Sequence, residues 1–182
     1  MKLALIIVGA IVVVLVILVV VVLVIGSRLP QHHIASRSIR LDRSANDVYA
    51  TVRDFDASPK WRPDVRSVEM LGAVNGHLQF RETGSNGTVT YELVEDVPNE
   101  RMVTRTVDRD LGYSGSWAFR FDPSDRGTLI TITESGDISN PVFKFLARYI
   151  FGHTASIDAY LKALAKHFGE SAMPQNAEHP TG

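Results

Sequence analysis

The chain has 182 residues, which is enough for one or at most two domains. Its 19 Lys and Arg residues nearly balance its 20 Asp and Glu residues, and no basic run stands out, which argues against a nucleic-acid partner. The sequence has no cysteine, which excludes disulfide bonds and a cysteine-linked lipid anchor.

The first predicted element is a membrane-spanning helix. The run from Leu3 to Ile25 has no polar side chain. A helix of this length is about 35 Å long, which matches the hydrocarbon layer of a bilayer. A cleaved signal peptide is the alternative, but the run is about twice as long as the apolar part of such a peptide, and no small-x-small cleavage site follows it. We therefore predict that residues 1–26 form an uncleaved anchor that contacts the lipid bilayer.

The sequence leaves the orientation of this anchor open. Lys2 precedes the apolar run, whereas Arg28, Arg37 and Arg40 follow it, which weakly favours a cytoplasmic domain. A large domain can cross the membrane against such a bias, and Met-Lys before an apolar run is also typical of export signals. The prediction is a single-pass membrane protein whose soluble domain lies on an undecided side.

The rest of the chain predicts one α+β domain after a linker at residues 27–32. A strand begins near Ile34, and Ser44 caps a short helix with Val48 and Val52 on its buried face. Six more strands with hairpin turns between them predict an antiparallel meander. These strands are residues 66–71, 78–83, 88–95, 101–107, 114–121 and 128–134.

The last predicted element is a long amphipathic helix that Asn140 caps and that extends to about Phe168, with Gly152 as a weak point. Residues 170–182 are polar and are expected to be disordered. A curved sheet of about seven strands around this helix would leave an apolar cavity between sheet and helix, which is the expected ligand site.

The stretch DFDASPKWRPDVRSVEML follows the first helix and shows a family resemblance. It fits a pattern of D-F, then P-x-W-x-P, then V and a strand; the matching residues are Asp54, Phe55, Pro59, Trp61, Pro63 and Val65. With the order of its elements, the chain resembles the START-like (SRPBCC) superfamily, which includes polyketide cyclase/dehydrase-like proteins and lipid-transfer domains. The resemblance covers residues 33–169 and implies the helix-grip fold. It implies little about function, because this scaffold hosts both binders and enzymes.

Trp61 lies between two prolines because the chain turns sharply there before the second strand. We expect its ring to plug the end of the core, and we favour this role over direct ligand contact. The segment from Pro141 to Phe151 is unusually apolar. It is either a buried helix start or a contact with the cavity mouth or the bilayer, with Lys144 and Arg148 at the lipid headgroups.

Strand alternation assigns most of the candidate ligand-binding residues. On the strand 101–107 the choice is ambiguous and marginally favours the face that carries Arg105. The possible buried charges Glu82, Glu134 and Arg105 need partners unless they are solvated near strand ends. His153 either faces the cavity or packs at its rim. The candidates are Trp61, Phe80, Glu82, Tyr91, Arg105, Trp117, Phe119, Ile132, Tyr149 and His153.

The sequence shows no metal-ligand spacing, no Ser-His-Asp arrangement and no glycine-rich phosphate loop, so we predict no cofactor, no metal and no assigned catalytic residue. The favoured function is membrane-tethered binding or transfer of a hydrophobic small molecule such as a lipid, a quinone or a polyketide-like compound. A cyclase, aromatase or dehydratase that uses Glu82, Glu134, Arg105 or His153 is the first alternative. A structural or regulatory protein is the second, and the sequence does not identify protein partners.

Overall fold

The computed structural model describes residues 2–85, 87–108 and 110–177, and only the backbone of Phe151. The helical elements are α1 (Lys2–Arg28), α2 (Ala45–Arg53), a 3-10 turn (Phe55–Lys60), α3 (Pro141–Leu146), a π-helical turn (Ala147–Phe151) and α4 (Ala155–His167). The strands are β1 (His32–Leu41), β2 (Val65–Val74), β3 (His77–Gly84), β4 (Gly87–Val97), β5 (Arg101–Thr106), β6 (Tyr113–Ser124), β7 (Gly127–Ile138) and β8 (Gln175–Asn176).

All described strands belong to one curved antiparallel sheet in the order β2-β3-β4-β5-β6-β7-β1-β8. This arrangement confirms the predicted meander and the helix-grip fold. The sequence predicted a disordered tail from residue 170, but Gln175 and Asn176 pair with β1 as the eighth strand. Arg37 donates to the side chain of Asn176 and to the carbonyl of Pro174, which holds this strand in place. Residues 178–182 lie outside the described part of the chain.

Two helix caps that the sequence predicts are confirmed. The hydroxyl of Ser44 accepts a hydrogen bond from the backbone N–H of Asp47 at 3.1 Å, at the start of α2. The side chain of Asn140 accepts from the N–H groups of Val142 and Phe143 at 2.9 and 3.3 Å, at the start of α3. Both caps satisfy donors that have no partner within the helix.

The long closing helix that the sequence predicts is broken in two. Gly152 has a φ of 78° and a ψ of 157°, a conformation outside any helix and one that only glycine adopts readily. The chain therefore leaves α3 and the π-helical turn, bends at Gly152 and starts again as α4. Only α4 provides the helix that the sheet grips.

The core lies between the concave face of the sheet and α4. Ile157, Leu161 and Leu164 on α4 are fully buried, as are Ile130 and Ile132 on β7. Their positions on α4 follow the helical spacing that the sequence shows. We call the end of the grip where β1 ends and β7 begins the closed end, and the end where β1 begins and β7 ends the anchor-side end.

The N-terminal helix α1 stands apart from this core. It is long and apolar enough to cross a membrane, and its apolar stretch is not buried against other described residues. A membrane anchor and a signal sequence both have these properties. The last turns of α1 pack on α3, so that a Cβ atom on Gly26 would come within 2.0 Å of the Pro141 carbonyl oxygen.

Candidate ligand-binding site

An ion pair lies on the inner side of the grip at its anchor-side end. The Arg62 side chain follows the 3-10 turn and donates to Glu82 on β3 at 2.8 Å and to Asp64 at 2.7 Å. The side chains of Arg62 and Glu82 are only 14% and 12% exposed. Burial raises the pKa of Glu82, and the guanidinium of Arg62 opposes that rise. The site therefore holds a carboxyl group that is more easily protonated than one at the surface.

Aromatic rings surround this ion pair. Tyr160 on α4 lies under the Arg62 guanidinium, at 5.1 Å from the ring centroid. Its ring meets Trp61 edge-on at 5.2 Å and Trp117 at 5.7 Å. Burial raises the pKa of the Tyr160 hydroxyl, which therefore stays neutral at any physiological pH. Tyr160 thus joins the gripped helix to the aromatic wall and to the cation.

The indole nitrogen of Trp61 is a donor that the structure leaves free. Its Nε1 atom is buried and has no hydrogen-bond partner among the described residues. A buried N–H without an acceptor is rare in folded proteins, because the group has lost its hydrogen bonds to water. An oxygen atom of a bound molecule would satisfy it. The predicted plug role of Trp61 and a ligand contact are therefore compatible.

A second aromatic stack continues the wall along the sheet. The ring of Phe80 lies between Phe55, at 4.0 Å, and Tyr91, at 5.4 Å. Phe80 is 3% exposed, whereas Tyr91 is only half-buried. Burial, followed by the charge of Glu82, raises the pKa of Tyr91. The stack leads from the core to the anchor-side end.

A histidine pair forms a second polar cluster at this end. The rings of His33 and His153 stack with centroids 4.6 Å apart. His33 Nε2 is 3.3 Å from one carboxylate oxygen of Glu134, and Ser156 donates to the other at 3.2 Å. Burial and the neighbouring His33 lower the pKa of His153. Glu134 is the direct cross-strand partner of Trp117, so this cluster adjoins the aromatic wall.

The expected apolar cavity between sheet and helix is largely occupied by the protein's own side chains. Tyr160, Trp61 and Trp117 fill the middle of the grip, and aliphatic residues fill the closed end. A recess of about 350 Å³ opens at the rim of the anchor-side end. Its lining includes Thr106, Tyr113, Asp137 and Ser139. An incoming molecule would find free space at this rim.

The structure brings six of the ten candidate residues to this end of the grip: Trp61, Phe80, Glu82, Tyr91, Trp117 and His153. Phe119 and Ile132 are on the same inner face but belong to the sealed core, with 4% and 0% exposure. Tyr149 is 57% exposed and lies on the π-helical turn outside the grip.

The inward orientation assigned to Arg105 is wrong. Its side chain is 58% exposed on the outer face and pairs with Glu92 of β4. Met102 and Thr104 are the buried residues of β5. The headgroup role considered for Lys144 does not hold either, because this side chain is buried and donates to the Leu29 carbonyl at 3.0 Å.

Two residues that shape the site were missed by sequence reasoning. Arg62 lies inside the Trp61–Pro63 bend, and nothing local marks it as a partner of Glu82, twenty positions away. Tyr160 could have been found, because it lies three residues after Ile157 and four before Leu164, on the buried face of α4.

Three solved structures show this fold at low sequence identity. A START superfamily protein from Mycobacterium smegmatis is 21% identical with a TM-score of 0.61, over 74% of this chain and 96% of that one. The Zhui aromatase/cyclase from a Streptomyces species is 14% identical with a TM-score of 0.59, over 75% and 93%. Norcoclaurine synthase from Thalictrum flavum is 13% identical with a TM-score of 0.57, over 76% and 87%. At these identities the likeness concerns the fold alone.

No curated protein matches the sequence. The family described as "Polyketide cyclase / dehydrase and lipid transport" matches residues 32–169. The match begins with β1, ends two residues after α4 and leaves α1 outside. The chain belongs to the polyketide cyclase / dehydrase and lipid transport family.

Proposed function

We propose that this protein is a membrane-tethered module that binds or transfers a hydrophobic small molecule between the sheet and α4. Its family supports hydrophobic ligand binding or a polyketide-cyclase-like role. Within that range, a lipid, a quinone or a polyketide-like compound fits the site. Such a molecule combines an apolar body with a few oxygen atoms, and the inner face offers apolar walls with a few polar groups.

The observation that carries this proposal is the composition of the anchor-side end. Trp117, Tyr91 and Tyr160 supply aromatic surface, whereas Arg62 and the free Trp61 N–H supply donors. Ligand sites of proteins are typically apolar with a small number of convergent polar groups. A ligand oxygen near Trp61 Nε1 would fix the orientation, and burial of the apolar body would provide most of the affinity.

In this proposal, the anchor keeps this end of the grip near the bilayer. α1 ends at Arg28 and β1 begins at His32, so the connection is too short for the domain to move far from the end of α1. The last turns of α1 pack on α3 around Gly26, and cleavage of α1 as a signal peptide would remove that contact. This packing supports an uncleaved anchor.

The two tryptophans of the chain, Trp61 and Trp117, allow a direct test, because both lie in the proposed site. The full chain in detergent is titrated with a brominated fatty acid and with a short-chain quinone, both of which quench indole fluorescence on contact. Saturable quenching at one molecule per chain supports binding. The Trp117→Phe variant should retain saturable quenching of Trp61, and Arg120→Ala on the outer face is the matched control. Quenching that never saturates, with either probe, would contradict the proposal.

An enzyme of the cyclase type is the second candidate, and Glu82 is the observation that favours it. Its pKa is raised by burial, and it lies close to the neutral hydroxyl groups of Tyr91 and Tyr160. A carboxyl group with a raised pKa is a suitable general acid. Two of the solved structures with this fold are an aromatase/cyclase and a synthase, which fits the same idea. Glu82→Gln separates the two functions: a binder keeps its affinity, whereas an enzyme loses turnover of a polyketide-like substrate.

A further inference from the structure

Several exposed apolar side chains lie beside the C-terminal end of α1, where this helix packs on α3. Phe143 on α3 and Tyr149 and Ile150 on the π-helical turn are 43%, 57% and 61% exposed. Monomeric soluble proteins rarely leave neighbouring large apolar residues in water. Arg148, which is also exposed, lies over the ring of Tyr149 at 6.0 Å. We call Pro141 to Ile150 the interfacial segment.

The interfacial segment is fixed to the end of α1. Gly26 allows the two backbones to approach so closely that any larger residue would collide with Pro141. Lys144 is 7% exposed and donates from its Nζ atom to the Leu29 carbonyl, one residue beyond α1. This bond satisfies one of the free carbonyl groups at the C-terminus of the helix and places a cation where the helix dipole favours it. The segment therefore keeps a constant depth relative to α1.

For an α1 that spans the bilayer, that depth corresponds to the boundary of the hydrocarbon layer. The apolar run of α1 ends at Ile25, and Val24 and Ile25 are still 47% and 36% exposed. The next residues, Gly26 to Arg28, add about 4.5 Å along the axis, which is less than the roughly 5–7 Å of headgroup region on each side of the hydrocarbon core, so this part of the chain lies within the interface. Aromatic side chains concentrate at this level, with cations directed to the headgroups. Tyr149 and Arg148 have this chemistry, and Ile150 and Phe143 can insert deeper.

We propose that the interfacial segment is a second membrane contact that lies in the bilayer surface beside α1. The partner is the lipid interface itself, and the contact turns the anchor-side end of the grip toward the bilayer. The break at Gly152 serves this arrangement, because it separates the lipid-facing segment from α4, whose apolar face is occupied by the core. This inference rests on the proposed anchor.

Because the chain has no cysteine, single-cysteine variants of the full chain can test the proposal cleanly. Tyr149→Cys and Ile150→Cys carry an environment-sensitive fluorophore in phosphatidylcholine nanodiscs that contain no other membrane protein. Asp125→Cys, in the exposed turn at the closed end, is the matched control. Val16→Cys, in the middle of α1, shows whether this helix spans the bilayer. Spin-labelled lipids with a shallow or a deep label quench each fluorophore according to its depth.

The expected result is severalfold stronger quenching at positions 149 and 150 by the shallow label than by the deep one, with no quenching at 125. Quenching at position 16 by the deep label shows that α1 spans the bilayer. If position 16 is quenched but 149 and 150 behave like 125, the second contact is wrong while the anchor stands; a protein partner would then be the occupant of this surface. If position 16 is not quenched, the anchor fails, whereas the tryptophan titration still tests ligand binding.

Discussion

The two ends of the grip differ in the way they exclude water. At the closed end, Leu41, Ile130 and Leu164 are fully buried, and the buried hydroxyl of Thr128 donates to the Arg43 carbonyl at 2.8 Å. At the anchor-side end, Trp117 and Tyr91 are half-buried and face the Arg62–Glu82 pair. The same sheet and helix therefore provide stability at one end and an adaptable polar and aromatic surface at the other.

This difference follows from the residues and helices that lie at the two ends of the strands. β7 begins with buried Thr128 and Ile130, carries Glu134 in its second half and ends at Ile138, beyond which α3 turns away toward α1. The helix α2 covers the closed end, where Val48 and Val52 pack into the core. No comparable helix covers the other end within the described residues, where α3 lies against α1. This difference between the two ends is compatible with the proposed binding of a small molecule at the anchor-side end.

The largest expected effect is at the closed end. Leu164→Ala removes a fully buried side chain from close-packed surroundings, and such changes typically lower the free energy of unfolding by about 2–5 kcal/mol. Ile34→Ala, at a residue that is 63% exposed, is the control and should change it by less than about 0.5 kcal/mol. Denaturant unfolding of the full chain in mild detergent measures both. Equal losses would show that the closed end is not the stabilising end.

The next effect is at the Arg62–Glu82 pair. Arg62→Ala leaves a mostly buried carboxylate without its cation, and breaking such a pair typically lowers stability by about 3 kcal/mol. The loss should be smaller at acid pH, because Glu82, whose pKa is raised, then becomes neutral. The control is Arg81→Ala, which breaks an exposed pair with Glu69 and should lower stability by no more than about 1 kcal/mol.

The double variant Arg62→Met/Glu82→Leu sharpens this test. It removes both charges and keeps an apolar side chain at each position, so most of the lost stability should return. If the double variant binds the brominated fatty acid as well as the natural chain does, the charge pair has no part in ligand recognition. A loss of binding with recovered stability would assign the pair to the ligand.

The histidine pair should make the anchor-side end sensitive to pH, with a smaller effect. The folded-state pKa of His153 is lowered by burial and by His33, and Glu134 partly opposes this while Arg148 adds to it. Its contribution to stability is therefore complete above the ordinary histidine pKa of 6.5 and is lost as the pH falls through the lower folded-state pKa.

The free energy of unfolding of the full chain should accordingly fall by no more than about 1 kcal/mol between neutral and mildly acidic pH, because water screens a half-buried ring. Thermal unfolding across this range measures the loss, and His153→Gln should flatten the profile. A profile that His153→Gln leaves unchanged would place the sensitivity elsewhere.

Most of the fold was predictable from the sequence because it depends on local patterns. Strand alternation, turn residues and the caps at Ser44 and Asn140 act over a few neighbouring positions. The break at Gly152 was recognised only as a weak point. Whether a glycine bends or ends a helix depends on what the following segment packs against, and here α3 packs on α1 while α4 packs on the sheet.

The site was less predictable because its residues meet through distant contacts. The segment RMVTRT has no clear apolar alternation, and a β-bulge between Leu93 and Glu95 shifts its pairing with β4. Side chains alternate between the two faces of a strand, so choosing the wrong alternate set of residues reverses every assignment, and Arg105 was misplaced in this way. The Arg62–Glu82 pair joins a loop to a strand, and no local pattern in one sequence indicates such a partner.

The smallest expected effect concerns α2, the helix that covers the closed end. The hydroxyl of Tyr49 on α2 donates to Asp96 at 2.5 Å, and Arg53 holds the same carboxylate at 2.8 Å. Burial and Asp96 raise the pKa of Tyr49 to about 12, so its contribution to stability is complete below the ordinary tyrosine pKa of 10.0 and is lost as the pH rises through about 12. Tyr49→Phe keeps the ring against Phe121 and should lower stability by about 0.5–1 kcal/mol.

Ultraviolet titration of the tyrosines and denaturant unfolding measure these two effects of Tyr49. Tyr149→Phe, outside the grip, is the control and should leave stability unchanged. If Tyr49→Phe lowers stability as much as Leu164→Ala does, the closed end depends on this polar cover as well as on its packed core. A loss confined to the smaller value means that apolar packing provides most of the stability of that end.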